Sequence, residues 1–136
     1  MPDLPSIVLD AESKPFWDGV ALGELRLQRC RDCARAVFPA RVVCPHCYGE
    51  GLEPLLAAGS GTVYSKTVVH RAFGAFAEHV PFTIALIDLD EGVRMMSRIV
   101  GETPVAIGDR VRLRVTRLDD APDAPQLPCF RAEVGA

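Results

Sequence analysis

The chain has 136 residues, a formal net charge of −3 from 15 Lys and Arg against 18 Asp and Glu, and 49% hydrophobic residues. That is the size of one domain, or of one domain with a small appendage, and it allows a real but modest core. The basic residues are scattered, which argues against a positive nucleic-acid-binding face; no apolar run approaches the roughly 20 residues of a membrane span.

In chain order, residues 1–24 read as an N-terminal arm and a short helix. The arm, "MPDLPSIVLDAE", carries two prolines and little periodicity, and is expected to lie on another surface. Ser13 is the expected N-cap, with Pro15 just inside the helix. Phe16, Trp17, Val20 and Leu22 follow at roughly helical spacing, while Gly19 and Gly23 keep the helix short. Phe16 and Trp17 have two readings: anchors for a partner, since aromatic residues dominate interface hot spots, or side chains packing the helix on the domain. No basic stretch precedes an apolar run near the N-terminus, so no signal peptide is expected and a cytoplasmic location is.

Residues 25–56 carry the strongest motif. "ELRLQRC" alternates as a strand and leads into Cys30-x2-Cys33, then ten residues, then Cys44-x2-Cys47. Each Cys-x-x-Cys turn can aim two thiolates at one point, and a short hairpin between the turns brings both pairs into a tetrahedral four-sulfur site suited to zinc. With all four positions taken by protein, such a site is closed to substrate and serves to fold a segment too small for its own core. Iron held in the rubredoxin manner uses the same ligands. A redox pair normally sits between a strand and a helix, and disulfides do not suit a reducing compartment. The residue after each pair is often Gly, because the turn there favours positive φ; here it is Ala34 and Tyr48. His46, inside the second turn, is expected to point away from the metal.

Residues 57–136 read as five strands. "TVYSKTVVHRAF" from Thr62 is β-branched and aromatic, "FTIALIDL" is almost continuously apolar, and "DEG" connects it to "VRMMSRIV". "GDRVRLRVTRL" puts Val111, Leu113 and Val115 on one face and Arg112, Arg114 and Thr116 on the other, and "CFRAEV" closes the chain. Five strands with glycines at the corners predict a small closed Greek-key barrel of the OB type. The class is mainly β. "HRAFGAFAEHVP" between the first two strands is an irregular loop flanked by His70 and His79.

The sequence offers no phosphate loop, no Ser–His–acid pattern and no second metal cluster. Asp88, Asp90 and Glu91 read as a solvated hairpin tip, and Cys129, in an apolar strand, as a packed thiol rather than a nucleophile. OB faces can stack bases, but the acidic balance and few aromatic residues oppose nucleic-acid binding.

The order of "PFWDG", "GELRLQRCRDCARAVFPARVVCPHC", "GSGTVYSKTVVH", "VPFTIALIDLDEGVRMMSRIVG" and "IGDRVRLRV" resembles the acyl-CoA-associated OB-fold family with a rubredoxin-like zinc ribbon (domain of unknown function 35) over residues 13–133. Ala40 in "FPAR" departs from the family's usual Phe-Pro-Pro-Arg. The resemblance implies a non-catalytic partner of a thiolase-like enzyme, either thiolase or aldolase, or of a hotdog-fold enoyl-CoA hydratase. When no partner is present, the apolar residues of the arm, the Phe16–Trp17 helix and the loop 71–80 are expected to pair with themselves as a homodimer. For acyl-CoA itself, Lys66 and Arg71 are the candidate cations and Phe73 and Phe76 the candidate apolar contacts, against the reading that the cations are ordinary surface residues. A free-standing acyl-CoA or lipid-binding module is the alternative.

Overall fold

The computed structural model describes residues 7–118 and 124–133. Helix α1 spans Lys14–Ala21, with Pro15 in its first turn, where a missing N–H costs nothing. Its cap differs from the sequence expectation. Ser13 already has near-helical angles (φ −89°, ψ −17°), and its side chain makes no cap bond to the helix. Asp10 does this work one turn earlier: Ser13 N–H donates to Asp10 Oδ1 (2.7 Å), Asp10 N–H to Ser13 Oγ (3.2 Å) and Lys14 N–H to the Asp10 carbonyl (2.9 Å). This is a reciprocal capping box. The hydrogen bonds from Ser13, backbone first, hold the Asp10 carboxyl below its ordinary range. Gly23, at φ 78°, ends the helix with its N–H on the Val20 carbonyl at 2.9 Å.

The ribbon is a three-stranded antiparallel sheet in the order β2-β1-β3, with β1 at Arg26–Cys30, β2 at Ala36–Val37 and β3 at Leu52–Leu56. The sequence reading did not anticipate β3, because Pro54 interrupts "LEPLL". Its position explains the tolerance: β3 pairs with β1 alone, with Pro54 opposite Gln28, and an edge strand can spare an N–H.

The barrel comprises β4 (Ser60–Val69), β5 (Phe82–Leu89), β6 (Arg94–Ile99), β7 (Arg110–Arg117) and β8 (Gln126–Ala132), closed in the order β4-β5-β6-β8-β7. All pairs are antiparallel except β6 with β8, which meet in parallel at Ile99 and Phe130. This is the five-stranded OB architecture that alternation and corner glycines predict. The first strand begins two residues before Thr62, and the last begins at Gln126 rather than Cys129. A bulge between Val63 and Ser65 bends β4, which pairs with β7 through Ser60–Thr62 and with β5 from Gly61 to Val69.

Val63, Ile87, Val111 and Phe130 point inward and are fully buried, each at 1% exposure or less. Val111 fulfils the predicted alternation, and Leu113 packs half-buried on the same core. Leu25 and Leu27 from the ribbon's base join that cluster, and Phe16, Phe38 and Leu55 lean against it. Ribbon and barrel therefore share one core, and the metal-bearing turns project from it.

At Gly61, β4 lies close against β5. A Cβ there would lie 2.6 Å from the Asp88 carbonyl oxygen and 2.7 Å from Ile87 Cγ2, and the backbone oxygen cannot step aside. Gly61→Ala is expected to destabilise the barrel by about 1–3 kcal/mol, measured by urea denaturation; an unchanged midpoint would show that the strands have slack.

The acidic hairpin tip is held by ion pairs rather than merely solvated. Arg94 grips Asp88 at 2.6 and 3.2 Å and lies 3.4 Å above the Tyr64 ring; Arg110 grips Asp90 at 2.7 and 2.8 Å. Those hydrogen bonds hold both carboxyls below the ordinary range. Glu91 accepts the Ala58 N–H at 2.9 Å, tying the tip to the segment that enters the barrel.

Candidate functional site

The first site is the cysteine cluster. The sulfurs of Cys30, Cys33, Cys44 and Cys47 all lie within 4.8 Å of one another, with Cys30–Cys47 at 3.5 Å and Cys33–Cys44 at 3.7 Å. Four thiolates about 2.3 Å from a tetrahedral zinc sit about 3.8 Å apart, so the observed spacing fits a metal ion. The local fold creates it twice. In the first turn Ala34 N–H donates to the Cys30 carbonyl (2.8 Å), and in the second Tyr48 N–H donates to the Cys44 carbonyl (2.9 Å). Both turns need positive φ after the second cysteine, and Ala34 (65°) and Tyr48 (63°) adopt it without being glycine. A Cβ at Gly49, beside Tyr48, would meet the Asp32 carboxylate, which would have to turn aside.

The electrostatics fit a cation. Burial acts to raise the Cys44 thiol, but hydrogen bonds from the backbone N–H groups of Cys47 and His46 outweigh it and bring it down to about 7. Cys47 receives help from the Gly49 N–H, yet its sulfur neighbours, Cys30 first, push it up to about 12. Four thiols this close cannot all ionise unaided, and a divalent ion removes that conflict. The ligand set is closed, and His46 contributes its N–H to Cys44 Sγ (3.4 Å) rather than its ring.

The second site is a cleft of about 330 Å³ where the helix, the ribbon and the barrel meet. Phe16 and Trp17 from α1, Phe38 from the ribbon and Phe76 from the β4–β5 loop form its rim. Their edges interlock: Phe16 lies 5.1 Å from Trp17 and 5.6 Å from Phe38, and Phe76 lies 6.1 Å from Phe82. The floor is the outer face of β5 and β6, through Ile84, Met96 and Arg98, with Leu127 and Pro128 of β8 beside them. This is the barrel face, next to the loop between the first two strands, on which OB folds ordinarily bind ligands.

The sequence-predicted residues fall unevenly on this geometry. Phe16, Trp17 and Phe76 line the cleft; Lys66, Arg71 and Phe73 do not. Lys66 donates to the Val105 carbonyl at 2.6 Å and borders a separate shallow groove on the barrel wall. Arg71 is exposed, and Phe73 is 84% exposed. Arg98 is the cleft's cation, and sequence reasoning missed it. The signal was the alternation in β6, which sends Arg94, Met96 and Arg98 to the outward face. Cys129 is buried against the cleft floor, where desolvation pushes its thiol up, away from the reactive range.

The closed four-sulfur ribbon fused to an OB barrel defines the class of protein, and comparisons with known proteins agree. Residues 17–53 match the rubredoxin-like zinc ribbon domain of ChsH2, and residues 56–117 match its C-terminal OB-fold domain. A DUF35 domain-containing scaffold protein of Methanocaldococcus jannaschii is 37% identical over 98 residues, 70% of this chain and 70% of that protein. The chain belongs to the DUF35 family. The 3-oxo-4,17-pregnadiene-20-carboxyl-CoA hydratase alpha subunit of Mycobacterium tuberculosis is 37% identical over 107 residues, 76% of this chain and 33% of that subunit. Among solved structures, the Ltp2-ChsH2(DUF35) aldolase matches with a TM-score of 0.80 and 32% identity, covering 95% of this chain and 100% of that one. The chain thus spans about two thirds of the archaeal scaffold proteins it matches and about one third of the hydratase alpha subunits. Among the described residues, no helix is long and apolar enough to cross a membrane.

Proposed function

We propose that this chain is a non-catalytic accessory subunit of an enzyme that processes acyl-CoA thioesters, with an aldolase or other thiolase-like enzyme, or an enoyl-CoA hydratase, as its partner. The observation that carries this reading is the likeness, over 95% of this chain, to a chain of the Ltp2-ChsH2(DUF35) aldolase. Two features of the fold support it. The one metal-ligand cluster among the described residues has four protein ligands and no open position, and Asp88 and Asp90 at the hairpin tip are engaged by Arg94 and Arg110. The ion is zinc, by its preference for a tetrahedral set of four thiolates, and its role is to order the outer turns of the ribbon.

Trp17 is the better interface anchor of the two aromatic residues, because Phe16 packs on the shared core. Co-expression with a thiolase-like or hydratase partner tests the assignment. The expected result is a stable complex whose turnover of acyl-CoA requires both chains. The Trp17→Ala variant should weaken association about ten-fold or more, as loss of an aromatic hot spot does, while retaining its metal. Turnover by this chain alone, or wild-type association by the variant, would refute the respective half of the reading. A second reading, a free-standing acyl-CoA or lipid-binding module, draws support from the cleft.

A further inference from the structure

Arg98 is the odd residue of the cleft. Its Nε is shielded from solvent and has no hydrogen-bond partner, and among the described residues no carboxylate pairs with its guanidinium. Its nearest compensation is the Phe82 ring, 4.9 Å below the guanidinium carbon, a cation–π contact that leaves the N–H unspent. Arginine cannot shed its charge in a protein, so an unpaired guanidinium N–H at an apolar wall is a standing cost. The other outward arginine of β6 shows the contrast: Arg94 is fully engaged by Asp88.

We infer that the cleft is a binding site for a small apolar carboxylate, whose hydrocarbon body lies among Phe16, Trp17, Phe38 and Phe76 and whose carboxylate is received by Arg98. Each part of the ligand answers a feature of the site. The cavity of about 330 Å³ falls at the lower end of the range that holds small organic molecules. Its rim is aromatic on three separate elements, which suits a flat ring or a short branched chain rather than a long flexible one. The two terminal nitrogens of a guanidinium can donate in parallel to the two oxygens of a carboxylate, so the charge can be met from the cleft without access to the shielded Nε. A neutral alcohol or amide would leave the charge uncompensated. The inference stands on the cleft of this chain and not on the identity of a partner enzyme, so either can fail without the other.

Trp17 lines the cleft and is the chain's single tryptophan, so its fluorescence reports occupancy directly. The experiment titrates the metal-bound chain with 3-phenylpropionate and, separately, with 3-phenylpropanol, its neutral counterpart of equal carbon skeleton. The carboxylate should shift Trp17 emission saturably and bind about ten-fold or more tighter than the alcohol, the usual margin of a charge-assisted hydrogen bond. Arg98→Met should remove that margin while leaving binding of the alcohol intact, which also shows that the variant is folded; Arg98→Lys should restore part of it. Equal affinity for acid and alcohol, or undiminished carboxylate binding by Arg98→Met, would overturn the proposal. So would a Trp17 that ignores both probes and responds only to an added partner enzyme, since the cleft would then be a protein interface.

Discussion

Replacing Cys44 by Ser is expected to release the metal and unfold the ribbon's outer turns while the barrel remains folded. The outer ribbon has almost no core of its own: Cys30, Val37 and Cys44 form a buried cluster with only Cys33 and Leu52 packed against it. So small a cluster cannot offset the backbone entropy of ordering the residues between β1 and β3. The metal supplies the difference. Structural zinc sites contribute about 10–16 kcal/mol in apparent binding free energy, and a serine hydroxyl neither ionises nor reaches as a thiolate does. Leu25 and Leu27, by contrast, lie inside the barrel's core and anchor the ribbon's base. Elemental analysis should find about one zinc in the wild type and none in the variant. Amide NMR should show collapsed dispersion for residues 30–52 and native positions for β4 to β8. Stoichiometric metal in Cys44→Ser would break the argument, and a chelator applied to the wild type should reproduce the variant's spectrum.

The same contrast explains what could be read from the sequence. The four ligands and the positive φ at Ala34 and Tyr48 were legible because cysteine spacing and turn geometry are local, and the metal overrides a side-chain preference worth roughly 1–2 kcal/mol per residue. The barrel strands were legible because alternation and corner glycines are also local. Three features were not. Asp10 and Ser13 are both good caps, and which one starts the helix depends on where the preceding chain turns. β3 hid behind Pro54, since a strand's tolerance for proline depends on whether a neighbour lies on that side. The cleft was out of reach for a deeper reason. It gathers residues 16–17, 38, 76, 82, 84, 96–98 and 127–129, which only the closed topology brings together. Sequence adjacency instead favoured Lys66 and Arg71, near the loop but outside the cleft, over Arg98 two strands away.

Phe130→Ala is expected to be the most damaging single change in the barrel. Phe130 is the largest fully buried side chain, at 0% exposure, and it sits where the barrel closes. Its backbone carbonyl accepts the Val100 N–H at 2.8 Å, and its Cα faces Ile99 in the one parallel pairing of the sheet. Parallel β6–β8 contact is the shortest seam of the barrel, with a single register pair against seven between β7 and β8. The aromatic ring therefore contributes at the point where hydrogen bonds contribute least. Truncation to alanine removes most of its buried apolar surface and leaves a cavity beside Val111 and Ile87 that rigid strands cannot fill. Such changes cost about 3–5 kcal/mol, which lowers Tm by roughly 10–20 °C in a domain of this size. Because Leu25 and Leu27 share that core, the ribbon's base should melt with the barrel in one transition. The metal, held by turns outside the core, should remain bound at 25 °C in the folded variant. A calorimetric scan with parallel metal analysis checks both halves. A loss below about 1 kcal/mol would mean that the β6–β8 seam closes without the ring, and metal loss at 25 °C would mean that the thiolate site depends on the barrel for its geometry.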